Sequence, residues 1–319
     1  MLEMARSRKA LPQQRYGIAE WFGRDILTIS QEEREELAAS ASTRRPTQHC
    51  PYQTQYWGEN VWCGKAGGVC SIRQYERAAD GSGKSLGGQT AICPFRFYEE
   101  GTAVRDVARM VLEATNFSVA GEVEFLRSRV NNEYVGSIDA VLYDTANTKN
   151  WCALELQAVY FSGNKMSLEF PPLALSKTVP FPTGDRHPDF RSSGPKRLMP
   201  QLQTKVPTLR RWGKRMAVVV DQEFVRYLGT PTRLQEDLSL CDLVWFIVGY
   251  QPGQPFRILN RYMTTLEDAV EWLTGGIPDT QRSFEARLGT RKAHQIKPVL
   301  HSEPQGPIST EDSADSPRV

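Results

Sequence analysis

The chain has 319 residues, 40% of them hydrophobic, with 39 Lys and Arg against 37 Asp and Glu and a formal net charge of +2. That composition supports a globular protein with one large domain or two moderate ones, and it neither demands nor forbids a polyanionic partner, since local clustering matters more than the sum. No apolar run approaches the ~18 residues of a membrane-spanning helix and the start MLEMARSRKALPQQR lacks the apolar core of a signal peptide, so a cytoplasmic protein is expected.

In chain order, GIAEWFG is apolar enough to pack, and Ser30 with Glu33 three residues on predicts a capping box opening a short helix. Residues 42 to 95 are Gly-rich, show little periodicity and carry Cys50, Cys63, Cys70 and Cys93, so this stretch reads as a segment without its own core that needs a staple. GTAVRDVARMVLEATN places Val104, Val107, Val111 and Ala114 on one face of an amphipathic helix. SVAGEVEFL, YVGSIDAVLYD and WCALELQAVYF read as three strands, followed by a proline-rich loop over 162 to 196. KRLMPQLQTKVPTLRRWGKR predicts a cation-bearing helix interrupted near Pro207. The strands MAVVVD, DLVWFIVGY and FRILNRY follow, then a helix capped by Thr264 and closed by Gly275. The expected organisation is an N-terminal arm and helix over 1–40, a cysteine segment over 41–101, a mixed α/β core over 102–290, and a disordered tail over 291–319.

Asp139, Glu155 and Gln157 sit inside strands otherwise made of Val, Ile, Leu and Ala, where an unpaired carboxylate costs several kcal/mol. Side chains alternate along a strand, so Glu155 and Gln157 share a face, and a hairpin brings Asp139 opposite them. Converging carboxylates suit Mg²⁺, which retains waters and activates one of them. An exposed sheet edge, or pairing with Lys and Arg, is the alternative. Four clustered thiols suit a closed, structural tetrathiolate site for iron or zinc, but the spacing has no CxxC knuckle and leaves four free thiols equally open. Cys152 and Cys241 lie in or beside apolar strands and read as core residues. GSGKS at 81 to 85 lacks the upstream glycine and strand of a phosphate loop and reads as a turn. The cations from Arg186 to Arg215, among them Arg186, Arg191, Lys196, Arg197, Lys205 and Arg210, form either a solvated face or a phosphate-tracking surface.

An acidic residue after GSI in one strand, an E-x-Q triplet in the next and a preceding helix resemble the PD-(D/E)XK nuclease layout, with Gln157 where that motif has lysine. Together with the four cysteines and the run DFRSSGPKRLMPQLQTKVPTLRRWGKRMAVVVD, the chain resembles the NotI family of type II restriction endonucleases over roughly residues 45 to 275. The resemblance implies an iron-binding four-cysteine site inserted ahead of a PD-(D/E)XK core, and Mg²⁺-dependent cleavage of double-stranded DNA at a GC-rich palindrome containing GGCC. It further implies a homodimer and a cognate DNA methyltransferase in the same system. By position, Asp139 and Glu155 would bind Mg²⁺, Gln157 would stand where lysine orients the attacking water, and Glu124, with Glu122 as its rival, would be an additional acidic residue. Arg186, Arg191, Lys196 and Arg197, in the loop past the active-site strands, are the candidate DNA-contacting residues. A nuclease of the same fold without a fixed site, and a non-catalytic DNA-binding protein, are the competing readings, the latter because a neutral Gln157 cannot supply a lysine's charge.

Overall fold

A computed structural model of the chain describes residues 13–43, 47–58, 60–251 and 254–290. The tail expected to be disordered therefore lies outside the described residues. The chain opens with β1 (Gln14–Trp21), β2 (Arg24–Asp25), α1 (Gln31–Ala41) and α2 (Pro51–Trp57), then β3 (Val69–Arg77), β4 (Gly83–Ser85) and β5 (Thr90–Ala91). Ser30 caps α1 as its sequence predicts: its hydroxyl accepts from Glu33 N–H and its own N–H donates to the Glu33 carboxylate. The strands form a sheet ordered β2-β1-β3-β4 with β5 on β3. GSGKS is the turn into β4, closed where Asp80 accepts from Ser82 N–H and hydroxyl.

The cysteine segment therefore does possess a core. β3 pairs antiparallel with β1 from Gln14 opposite Glu76 to Trp21 opposite Val69, and Ile18, Trp21, Ile72 and Tyr75 are buried between the sheet and its neighbours. The pattern is hard to see in sequence because two buried positions of β3 are polar. Ser71 donates to Glu20 at 2.7 Å, and Arg73 pairs with Asp25 at 2.7 Å.

Then follow α3 (Thr102–Val107), prolonged by a π turn to Leu112, β6 (Phe117–Arg127), β7 (Tyr134–Asp144), β8 (Trp151–Leu156), β9 (Tyr160–Gly163), α4 (Phe170–Leu175), β10 (Arg186–Asp189), α5 (Phe190–Ser193), α6 (Met199–Arg211), β11 (Met216–Asp221), α7 (Gln222–Leu228), β12 (Leu243–Gln251), β13 (Gln254–Thr264), α8 (Leu266–Leu273) and α9 (Gln281–Thr290). The second sheet is ordered β13-β12-β11-β8-β7-β6, with β11 parallel to both β8 and β12, so the chain is a mixed α/β protein. β11 is buried on both faces: Ala217 and Val219 enter one core, while Met216, Val218 and Val220 enter the other with Leu198, Leu202, Val206 and Leu209 of the α6 region. Each such fully buried aliphatic side chain is worth about 1.5–3 kcal/mol.

Four local expectations change. The stretch 162–196, expected to be a proline-rich loop, holds α4, β10 and α5. The run 151–161 breaks after Leu156 because Gln157 N–H still bonds Val219 O while Val159 N–H turns to Ala91 O of β5. α6 continues through Pro207; an interior proline costs about 3 kcal/mol, but Leu202, Val206 and Leu209 hold that face on the sheet. Thr265, not Thr264, caps α8, because Thr264 ends β13 and its hydroxyl accepts from Trp245 Nε1 at 2.9 Å.

Residues up to Gly276 form one compact unit and those from Ile277 a second, which contains α9 and an Arg287–Asp279 ion pair. The expected boundaries at 40/41 and 101/102 fall inside the first unit. There the cysteine segment is fastened to the larger sheet by Asp221, fully buried, whose carboxylate accepts from Ala91 N–H and Phe224 N–H at 2.9 Å each.

Candidate active site

β7 and β8 pair with Ala140 opposite Leu154, so the next position along the ladder sets Asp139 beside Glu155. Both lie on the sheet face toward α6, since Ala140, Leu142, Leu154 and Leu156 enter the opposite core. α6 answers them with Lys205. Its Nζ donates to Asp139 Oδ1 at 3.1 Å, Glu155 Oε2 at 2.7 Å and Gln201 Oε1 at 3.0 Å, using all three ammonium protons.

Burial separates the two carboxylates. Glu155 is 2% exposed, whereas the Asp139 side chain is 48% exposed. Burial, reinforced by the Asp139 charge and partly offset by Lys205, pushes Glu155 up to about 7. Burial opposes the charge on Lys205, but Glu155 and Asp139 outweigh it and hold the ammonium above its ordinary value.

Asp139, Glu155 and Gln157 line one cavity of about 490 Å³, together with Tyr160, Arg197, Gln201 and, from the cysteine segment, Lys65. Gln157 is buried, and its Nε2 donates to Ala158 O at 2.5 Å, which leaves Oε1 as an acceptor. Glu124 is not part of this cavity. It pairs with Ser137 on the outer strand β6 and lines a separate recess with Glu122, Tyr134 and Val135. Glu122 stands between the Gly121–Ala140 and Val123–Ile138 pairs with φ of 49°, a left-handed conformation unusual for a residue with a Cβ.

The cations sort by their surroundings. Arg186, expected on the DNA face, is corrected to a structural residue: it is 1% exposed, its guanidinium pairs with Glu169 at 2.8 Å, and it donates to the Asn164 and Lys165 carbonyls. Arg191, Lys196 and Arg197 are exposed, and the Arg197 guanidinium lies 3.4 Å from the Tyr160 ring centroid at the cavity wall. Arg210 is spent on Asp242 and Glu267. Lys205 is the residue that sequence reasoning placed wrongly, among surface cations. The signal was present: Leu198, Leu202, Lys205 and Leu209 recur at helical spacing, so a lysine falls on the buried stripe and needs a buried partner.

Cys50, Cys63, Cys70 and Cys93 are all buried free thiols. Backbone bonds hold them together, with Cys50 N–H on Val61 O, Cys63 N–H on Gln48 O and Cys93 N–H on Cys70 O. Burial pushes Cys93 up to about 11, with Cys50 and Cys63 close enough to add to the effect, and raises Cys63 and Cys70 as well. Among the described residues no group of three or more His, Cys, Asp or Glu side chains is placed to hold a metal ion. The donor chemistry of the four thiols fits a soft metal. The two carboxylates of the cavity fit Mg²⁺ by another criterion, because that ion takes one or two protein carboxylates and completes its shell with water and phosphate oxygens. Lys205 Nζ already marks a position between them where positive charge is stabilised.

Among the described residues no helix is long and apolar enough to cross a membrane. No curated protein matches the chain. The family model of restriction endonuclease NotI matches residues 33–263, a span that takes in β3 to β5, the larger sheet except the last residue of β13, and every residue of the cavity. The chain belongs to the NotI family of restriction endonucleases and is a type II, site-specific deoxyribonuclease.

Proposed function

We propose that the protein cuts both strands of duplex DNA with Mg²⁺ at a GC-rich palindrome containing GGCC, using Asp139 and Glu155 as the metal-binding carboxylates of a PD-(D/E)XK core. The observation that carries this reading is the shared cavity in which two carboxylates on adjacent strands already hold one cation, Lys205 Nζ, between them. Mg²⁺ bound by Asp139 and Glu155 would supply the acidity for the attacking water and neutralise charge on the scissile phosphate. Gln157, with its amide nitrogen tied to Ala158 O, offers Oε1 to orient that water. Lys205 brings to the carboxylate pair a positive charge that Gln157 lacks, which supports the catalytic reading over a non-catalytic DNA-binding one. Arg197 at the cavity, with Arg191 and Lys196 near it in sequence, provides exposed cations for the phosphate backbone.

A palindrome cut in both strands calls for two copies about a two-fold axis, hence a homodimer. An enzyme of this kind would be paired with a DNA methyltransferase of the same specificity, which protects the host's own sites. GGCC follows from the family likeness. Mapping the ends produced on a fully sequenced viral DNA tests the reading: cuts confined to GGCC-containing palindromes, and only with a divalent cation, are expected. Sites without two-fold symmetry, or with A·T pairs at their centre, would overturn it.

The cysteine quartet is proposed to take one structural iron or zinc, supported by four buried thiols gathered by backbone bonds. Elemental analysis of fresh protein is expected to find about one transition metal per chain, reduced in Cys50→Ser. A stoichiometry near zero would remove the site.

A further inference from the structure

We infer that Lys65 is a phosphate-binding catalytic residue, delivered to the active-site cavity by the cysteine segment. This rests on the reading of Asp139 and Glu155 as the site of cleavage.

Part of the cavity lining does not come from the larger sheet: Lys65, Ile92 and Pro94 line it together with Asp139, Glu155 and Gln157. Lys65 sits in the loop between Cys63 and Cys70, and that loop is rigidly built. Lys65 O accepts from Gly68 N–H at 2.9 Å, and Gly67 O accepts from Trp21 Nε1 at 2.8 Å. Gly67 has φ of 74°, and a Cβ there would meet the Phe170 ring at 2.9 Å. The facing strand is pinned too, since Ala91, next to Ile92, bonds both Asp221 and Val159. Lys65 Nζ donates to Ile92 O at 2.6 Å, which fixes its direction. An ammonium has three protons, so two remain for a ligand in the cavity.

The charge distribution assigns that ligand. Phosphodiester hydrolysis builds negative charge on the phosphate oxygens in the transition state, and preorganised cations lower its energy. Lys205 donates to Asp139, Glu155 and Gln201 and so serves the carboxylate side of the cavity, and Gln157 is neutral. Arg197, stacked on Tyr160 and exposed, is the cation placed for the DNA backbone at the cavity's edge, whereas Lys65 is half-buried. Lys65 Nζ has one hydrogen-bond partner among the described residues, carries its charge close to the Cys63 and Cys93 thiols, and lines the same cavity as the carboxylates, within which a phosphate would meet it. The cysteine segment thereby contributes a charge to the chemistry as well as a folded wall.

The test is single-turnover cleavage of the mapped site with Mg²⁺ and saturating protein, with melting temperature and duplex affinity measured on the same samples. Lys65→Gln keeps a donor for Ile92 O but removes the charge, and is expected to cut about 100-fold more slowly with melting temperature and affinity unchanged. Lys65→Arg is expected to recover most of the lost rate, and Lys84→Ala, on exposed β4, to cut like the unmodified protein. Lys65→Gln cutting at full rate while Asp139→Asn is dead would overturn the inference alone. Equal losses in Lys65→Gln and Lys65→Arg with a lowered melting temperature would also overturn it, by making Lys65 a structural tie. Full cutting by Asp139→Asn would bring down the underlying site instead.

Discussion

Asp139→Asn and Glu155→Gln are each expected to stop DNA cleavage while leaving the fold and duplex binding intact. Each change keeps shape and removes one carboxylate charge from the pair, and a metal ion stabilises transition-state charge by several kcal/mol, so a loss of at least about 10³-fold in single-turnover rate follows. The fold should tolerate both changes. Asp139 is half exposed, and burial raises Glu155 to about 7, so a neutral amide there removes a charge that burial disfavours. The sign of the pH effect follows. Between about 4.5 and about 7 the folded carboxyl holds a proton that the unfolded one has lost, so stability falls as pH rises through that window. Glu155→Gln, followed by chemical denaturation without divalent cations, is expected to flatten that decline. A variant that cuts at nearly the unmodified rate would remove its residue from the site.

Lys205→Met is expected to combine the loss of cleavage with a marked loss of stability. It leaves Glu155, 2% exposed, without its cation. Breaking a buried pair by removing one partner costs about 3–5 kcal/mol, and the lower end applies because Asp139 reaches solvent and Glu155 can take up a proton. The destabilisation should therefore be larger at pH 8 than at pH 6. Adding Glu155→Gln to Lys205→Met removes the stranded charge, so the double variant is expected to regain stability without regaining cleavage. Denaturation midpoints at both pH values check this, and equal stability of Lys205→Met and the unmodified chain would show that the ion pair contributes nothing to the fold.

The strands of the larger sheet were legible because their residues are plain. MAVVVD and DLVWFIVGY are apolar on both faces, and only a strand covered by helices on both sides reads that way. Asp139 and Glu155 were legible for the opposite reason, as charges in strands that bury their neighbours. The first sheet was not, because β3 hides Ser71 and Arg73 in its interior and draws its partner β1 from more than fifty residues upstream, with Ser71 opposite Glu20. Arg186 was misjudged because a proline-rich stretch conceals the Glu169 carboxylate that buries it. Lys205 reaches the two carboxylates from α6, and Lys65 reaches the cavity from the cysteine loop, through tertiary contacts that strand periodicity does not encode. The substitution of Gln157 for lysine, read alone, weakened the catalytic reading. Lys205 Nζ, at 2.7 Å from Glu155, brings a positive charge to the carboxylates from another element.

Whether Asp139 and Glu155 jointly hold the divalent cation is tested most directly by titrating Mn²⁺ into the full chain bound to its mapped duplex and following free Mn²⁺ by electron paramagnetic resonance. The unmodified protein is expected to take up Mn²⁺ at a site that is lost in both Asp139→Asn and Glu155→Gln, with duplex affinity in all three held alike. Mn²⁺ uptake of equal strength in the two variants and the unmodified protein would contradict a metal site built on these carboxylates.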